Sequence, residues 1–184
     1  MFKSVNGGKL PTRGSKYSAC VDVYANEDVV VGAGETKLVK LGIAIDLDFI
    51  KPDYISEIFC DDGDGNMIFS GYNEERYIDF LSSHYLQLML RSSLGKAGLI
   101  MPSGVGVIDM DYAGEIMMPI HNPVTGTKGI INPENLIDVV GNTEHHIKKG
   151  DRIGQITLLE HKAYLFGIDT EDRRTGGFGS TGDK

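Results

Sequence analysis

Nowhere does the sequence hold the about 18 consecutive apolar residues that a membrane-spanning helix needs, and its first stretch, MFKSVNGGKLPTRG, carries no apolar signal region. The expected compartment is the cytoplasm, with no membrane partner. Cysteine is scarce: Cys20 and Cys60 stand 40 positions apart with no CxxC or histidine spacing, which favours free thiols in a reducing compartment over a disulfide framework or zinc site. Positive charge is short as well. A net charge of −8 and a pI near 5.0 provide no long-range field to draw in DNA or an anionic membrane, so no nucleic-acid partner is expected, although local donors can still hold a small anion. Internal repeats are absent. At 184 residues the chain is one domain, long enough to bury a core without staples.

What is plentiful is glycine, 24 residues spread along the chain, which implies many turns. Between the turns lie β-rich runs. VVVGAGETKLVKLGIAIDL gives two such runs about a Gly34-Glu35 turn, YLQLML places Leu86, Leu88 and Leu90 on one face by alternation, and EIMMPIHN and RIGQITLLE repeat the pattern. Many short strands with Gly-rich turns predict an all-β barrel or sandwich. Two stretches break this texture. Residues 51–83 contain NEERYIDFLSSHY, where Tyr77, Phe80, Leu81 and Tyr85 recur at near-helical spacing behind Asn73 as N-cap, so one short helix is expected. Residues 123–146 carry Pro, Gly and Asn and read as an elaborated loop. DDGDGN imitates the start of a calcium loop but has Met67 where that loop needs Gly and Asn73 where it needs Glu, so it reads as a turn.

Five stretches carry candidate chemistry. In ACVDVYA, Asp22 interrupts an apolar alternation, and alternation alone favours an outward, solvated carboxylate. LRSSLGKAGLI follows a strand and opens a helical turn, so Arg91, Ser92 and Ser93 either gather backbone donors for an anion or simply cap the turn. In GVGVIDMDYAGEI, Asp111 to Gly114 fits a type I turn, which would make GVGVID and EIMMPI the arms of a hairpin. Asp109 then falls inside a strand pattern beside Val107 and Ile108, where an ionised carboxylate is costly to bury unless it has a task. KKGDRIGQITL puts Gly150-Asp151 at a turn, with Arg152 and Gln155 after it, both readable as ordinary surface polars. The last stretch, RRTGGFGSTG, places Phe178 in a glycine-rich tail that would fray unless it closes over something.

Taken in order, these five stretches resemble the five motifs of the homotrimeric dUTPases, which hydrolyse dUTP to dUMP and pyrophosphate, keeping uracil out of DNA and supplying dUMP for thymidylate synthesis. The resemblance covers well over half of the chain. Residues 51–83, between the first and second motifs, and 123–146, between the third and fourth, look like insertions of the kind found in virus-encoded members. The resemblance implies a single dUTPase domain over 1–184 with a jelly-roll-like β-barrel, a homotrimer with shared sites, and a C-terminal arm over 164–184. It also implies Mg²⁺, held by Asp22 through water. Asp109 would activate the attacking water and Tyr112 would pack under the deoxyribose. Arg91, Ser92, Ser93 and Gln155 match phosphate-contacting positions. Arg173, Phe178, Gly179, Ser180 and Thr181 match arm residues that close over base and phosphates.

Physical chemistry agrees with this assignment. A triphosphate needs its charge neutralised and its α-phosphorus held in line with water, which arginine, hydroxyls, backbone donors and a cation provide. Uracil would be read by backbone at Gly106, Val107 and Ile108 and by Met117, with no room for a thymine methyl or, beside Tyr112, a ribose 2′-hydroxyl. Arg174, Ala113, Gly154 and Leu90 replace the family's common Gly, Arg, Ala and Pro, and none of the four removes a group the mechanism needs. Two rivals remain. A dCTP deaminase shares an RSSL-like motif but needs a glutamate where this chain has Pro119, while Glu115 lies too near the turn. A trimeric binding protein could use the insertions to grip a protein partner.

Overall fold

In the computed structural model the described residues are 1–54, 56–61, 63–64, 66–124, 130–132, 135–137 and 144–168. In chain order the strands are β1 (Phe2–Ser4), β2 (Thr12–Arg13), β3 (Val21–Tyr24), β4 (Val29–Val31), β5 (Thr36–Lys40), β6 (Ile43–Ile45), β7 (Ser56–Asp61) and β8 (Met67–Asn73), then β9 (His84–Leu90), β10 (Gly106–Asp109), β11 (Met117–His121), β12 (Ile130–Asn132), β13 (Asn135–Ile137), β14 (His145–Ile147) and β15 (Arg152–Glu160). Helices α1 (Leu47–Tyr54), α2 (Glu75–Ser83) and α3 (Ser92–Lys96) and a 3₁₀ turn at Ala163–Phe166 complete it.

One five-stranded antiparallel sheet, ordered β10-β9-β15-β3-β2, forms the main wall. Antiparallel pairs β1–β6, β4–β14 and β5–β11 supply inward-facing side chains to the same core. Alternation explains most of that core: Leu86 and Leu88 of β9, Met118 and Ile120 of β11 and Val23 of β3 are essentially solvent-free, and Ile153 and Ile156 of β15, three residues apart, join the same cluster across a bulge between Arg152 and Gly154. The result is the expected all-β, jelly-roll-like barrel.

Three local expectations need correction. The 51–83 stretch holds more than one helix: α1 runs into it, the β7–β8 hairpin follows, and α2 closes it, with Phe80 buried and Tyr77 and Leu81 packed against the core. Asn73 is not the N-cap of α2. That place falls to Glu74, while Asn73 Oδ1 accepts from the Glu75 N–H at 2.9 Å, an Asx turn leading into the helix; Tyr85 belongs to β9. GVGVID and EIMMPI do not form a hairpin, because β10 pairs with β9 and β11 pairs with β5. The turn is also two residues early, closed by the Tyr112 N–H donating to the Asp109 carbonyl at 3.1 Å, and it tucks Met110 into the core.

Two turns stand where the sequence places them. DDGDGN connects the hairpin strands β7 and β8, with Gly63 at φ 90°. Gly150, at φ 93°, makes the turn before β15, with the Lys148 N–H donating to Asp151 Oδ2 at 2.8 Å. Cys20 and Cys60 are free thiols. Among the described residues, no helix is long and apolar enough to cross a membrane.

Candidate active site

Asp22 sits on β3 opposite Gln155 of β15 and, contrary to the solvated expectation, is buried at 5% exposure. Three donors account for that burial. Arg91 Nε lies 3.4 Å from Asp22 Oδ1, Gln155 Nε2 donates to the same oxygen at 3.2 Å, and Arg152 donates to Oδ2 at 3.3 Å. Burying a carboxylate is tolerable when it is paired and hydrogen-bonded, and two guanidiniums around one carboxylate leave the cluster net positive in an otherwise acidic chain. The backbone fixes the geometry too, since the Arg91 N–H donates to the Ile153 carbonyl at 3.0 Å and ties the RSSL stretch to β15.

Arg152, readable from the sequence as an ordinary surface polar, joins the Asp22 cluster. Strict alternation puts positions 152 and 155 on opposite faces of a strand. A β-bulge between Arg152 and Gly154 instead sets Arg152 opposite Tyr24 and Gln155 opposite Asp22, so both side chains reach the Asp22 face. The only sequence signal for such a bulge is the glycine at 154.

Beside this cluster, the buried Tyr24 phenol meets the Thr12 hydroxyl, and Lys9 Nζ lies 3.7 Å from its ring centroid. The Thr12 hydrogen bond lowers the Tyr24 pKa below its usual value against the opposing effect of burial, with Lys9 adding to the lowering. Ser92 and Ser93 open α3 and are exposed; Arg91 occupies the N-cap and no side chain caps it. Of the two readings of RSSL, capping by serine is therefore not realised. The first N–H groups of a helix lack intrahelical acceptors, so α3 opens with backbone donors directly after Arg91.

Asp109 and Tyr112 form a second group. Asp109 ends β10 opposite Tyr85 and is exposed, so the expected burial cost does not arise. Tyr112 is half-buried and donates from Oη to the Glu115 carbonyl at 3.2 Å. Gly114 makes that packing feasible: a Cβ there would lie 2.5 Å from Tyr112 Oη and 2.7 Å from Cζ. Glu115 is structurally engaged, its carboxylate accepting from the Gly42 N–H and from Asn6 Nδ2, each at 3.0 Å. Gly106, Val107 and Ile108 lie on β10, an edge strand whose one strand neighbour among the described residues is β9, and Met117 starts β11.

The two groups are far apart within one chain. From Tyr85, opposite Asp109, to Met89, level with Asp22, is four residues, and β10 and β3 are three strand spacings apart. At about 3.3 Å per residue and about 4.8 Å per strand, the separation along the sheet is on the order of 20 Å. Arg173, Phe178, Gly179, Ser180 and Thr181 lie outside the described residues, as does most of 123–146.

Comparison with known proteins decides the family. The chain is 30% identical over 182 residues to the deoxyuridine 5'-triphosphate nucleotidohydrolase of Rickettsia akari, covering 95% of this chain and 89% of the relative. It belongs to the dUTPase family. The Finegoldia magna enzyme of the same name is 34% identical over 111 residues, 58% of this chain and 66% of that one. In structure, this dUTPase-family chain matches the dUTPase from phage phi11 of S. aureus, a protein with a species-specific insert, at TM-score 0.56 and 17% identity, covering 98% of this chain and 97% of the other. No family model matches the chain.

Proposed function

We propose that the chain hydrolyses dUTP to dUMP and pyrophosphate at a site completed only between protomers of a homotrimer. The observation that supports this most is the separation just described, on the order of 20 Å along the sheet between the Asp22 cluster and Asp109 of one chain. In this reading Asp22, Arg91, Ser92, Ser93 and Gln155 of one protomer face Asp109, Tyr112 and the β10 edge of another. The arm residues Arg173, Phe178, Gly179, Ser180 and Thr181, from the 164–184 segment, close over base and phosphates from a third. The free thiols fit a reducing cytoplasm, that of the host if the source is viral.

Each residue's part follows from its chemistry. Arg91 and the Ser92 and Ser93 donors bind the phosphates, and Gln155 adds an amide donor. Asp109, exposed at its strand end, takes the proton from the water that attacks the α-phosphorus, so that the pyrophosphate leaves opposite the entering oxygen. The outer edge of β10, which pairs with no strand among the described residues, offers uracil the outward-pointing N–H and C=O groups within Gly106 to Ile108, with Met117 beyond them. The separation of β10 from β11 makes this edge available, which a closed hairpin would not. Tyr112, held by its bond to the Glu115 carbonyl, lies under the sugar and leaves no space for a 2′-hydroxyl.

Mg²⁺ fits this site as a guest of the substrate. No group of three or more His, Cys, Asp or Glu among the described residues could hold a metal ion alone. A carboxylate offers about four lone-pair sites, and the donors around Asp22 are Arg91, Gln155 and Arg152, which leaves room for one water of a hydrated cation. Bound with the triphosphate, the cation would neutralise phosphate charge. The deaminase alternative loses ground because Glu115 is tied to Gly42 and Asn6 and position 119 is proline within β11.

Pyrophosphate release measured side by side with dUTP, dTTP, dCTP and UTP tests the reading. Hydrolysis of dUTP far above the other three is expected, and Asp109→Asn should reduce kcat by about 10²–10⁴ while a non-hydrolysable dUTP analogue still binds. Full turnover by Asp109→Asn would remove Asp109 from the mechanism.

A further inference from the structure

The β7–β8 hairpin takes no part in either group of site residues, yet it displays Ile58, Phe59, Met67, Ile68 and Phe69 to solvent. Phe59 and Phe69 face one another across the strands, with ring centroids 6.0 Å apart at 75°. A two-stranded sheet is marginal in water on its own, and here both faces carry exposed apolar side chains, Phe59, Met67 and Phe69 on one and Ile58 and Ile68 on the other, which marks a contact site. Its edges differ. The register slips between Ile58 and Phe59, where β8 carries an extra residue, so the bulge disturbs the outer edge of β8 and leaves that of β7 regular. Among the described residues, β8 is the one strand neighbour of β7.

Charge identifies what fits this edge. Lysine is the usual guard of an open strand edge, but between Lys51 and Arg76 the chain has seven carboxylates and no lysine or arginine. Glu57, Asp64, Glu74 and Glu75 of that set are exposed. A second copy would bring the same carboxylates, on a chain of net charge −8, against this surface. We propose that the outer edge of β7 is a docking site for a partner protein, which adds an extended segment of alternating apolar and basic residues as a third strand. Main-chain hydrogen bonds to Ser56–Asp61 would hold the segment, its apolar side chains would cover Ile58 on one face of the hairpin, and its cations would line the other face beside Glu57 and the Phe59 ring.

The probe is a fluorescein-labelled peptide of alternating lysine and isoleucine, titrated into the full chain and read by anisotropy beside alternating Glu-Ile and Lys-Ser peptides and an N-methylated Lys-Ile peptide. The Lys-Ile peptide should bind at least about tenfold more tightly than the other three, and Ile58→Ser/Ile68→Ser should abolish the difference. That variant should keep its dUTP hydrolysis rate, and the N-methylated arm tests strand addition on the unaltered protein. Equal binding of Glu-Ile or of the N-methylated peptide would overturn the proposal. So would a larger assembly by sedimentation that the double variant loses, since the occupant would then be a second copy.

Discussion

Replacing Asp22 should disturb the cluster of Arg91, Arg152 and Gln155 in a graded way. Its contacts to Arg91, Arg152 and Gln155, at 3.4, 3.3 and 3.2 Å, are longer than ideal charge-assisted bonds, and the two arginine side chains are 27% and 51% exposed. Truncating one partner of a fully buried ion pair costs about 3–5 kcal/mol, but partly exposed guanidiniums recover water, so Asp22→Ala should cost about 1–3 kcal/mol. At about 2–4 °C per kcal/mol for a chain of this size, Tm should fall by roughly 2–12 °C. Asp22→Asn should sit at the mild end of that range. The asparagine can keep its oxygen toward Arg91 and Gln155 and turn its NH₂ toward Arg152, the cation best able to swing into solvent. KM for dUTP should follow the same order, wild type below Asn below Ala, because Arg91 and Gln155 lose their common anchor. Thermal unfolding and steady-state kinetics on the three proteins provide the check. An alanine variant with unchanged Tm and KM, or an asparagine variant worse than alanine, would refute the argument.

Gly154 faces the core, where an added Cβ would lie 2.6 Å from Met118 Cε and 3.0 Å from Val23 Cγ2. Gly154→Ala should therefore cost about 1–3 kcal/mol by overpacking, and Gly154→Ala/Met118→Val should recover most of it by thermal unfolding; equal instability of single and double variants would show that Met118 is not the obstacle. Asp28 accepts from the Lys149 N–H at 2.8 Å and from Lys148 Nζ at 3.0 Å, and these bonds, the backbone one first, hold its pKa below the usual 3.8. A depressed carboxylate contributes stability that is present above its unfolded value and is lost as pH falls through the folded one. The Tm difference between wild type and Asp28→Asn should thus be constant near neutrality and close only below pH 3.8; a gap that closes at higher pH would contradict the assignment.

Much of the architecture was legible because burial follows period two: Leu86 and Leu88, and Met118 and Ile120, stand where alternation put them, and the runs at 29–45 and 152–160 form strands as expected. What escaped was everything that breaks that period. The bulge at Arg152 brings two polar side chains to one face, and no counting of alternate positions finds it. Asp22 looked solvated and is buried, because alternation says which way a side chain points but not which cations come to meet it. Asp109 looked buried and is exposed, because the turn begins at Asp109 itself and β10 ends there. The β10–β11 hairpin failed for the same reason: the early turn sends the chain into a different sheet. Order along the chain still carried the family assignment, since motif order does not depend on these local details.

The central claim is a site shared between protomers, and subunit complementation tests it most directly. Asp109→Asn and Arg91→Ala should each be nearly inactive alone. Refolded together in equal amounts, they should form mixed trimers in which an intact Asp109 from one protomer meets an intact Arg91 from the next. By random assembly in a closed ring, about a quarter of wild-type dUTP hydrolysis should return. A mixture no more active than its two components would contradict the shared site.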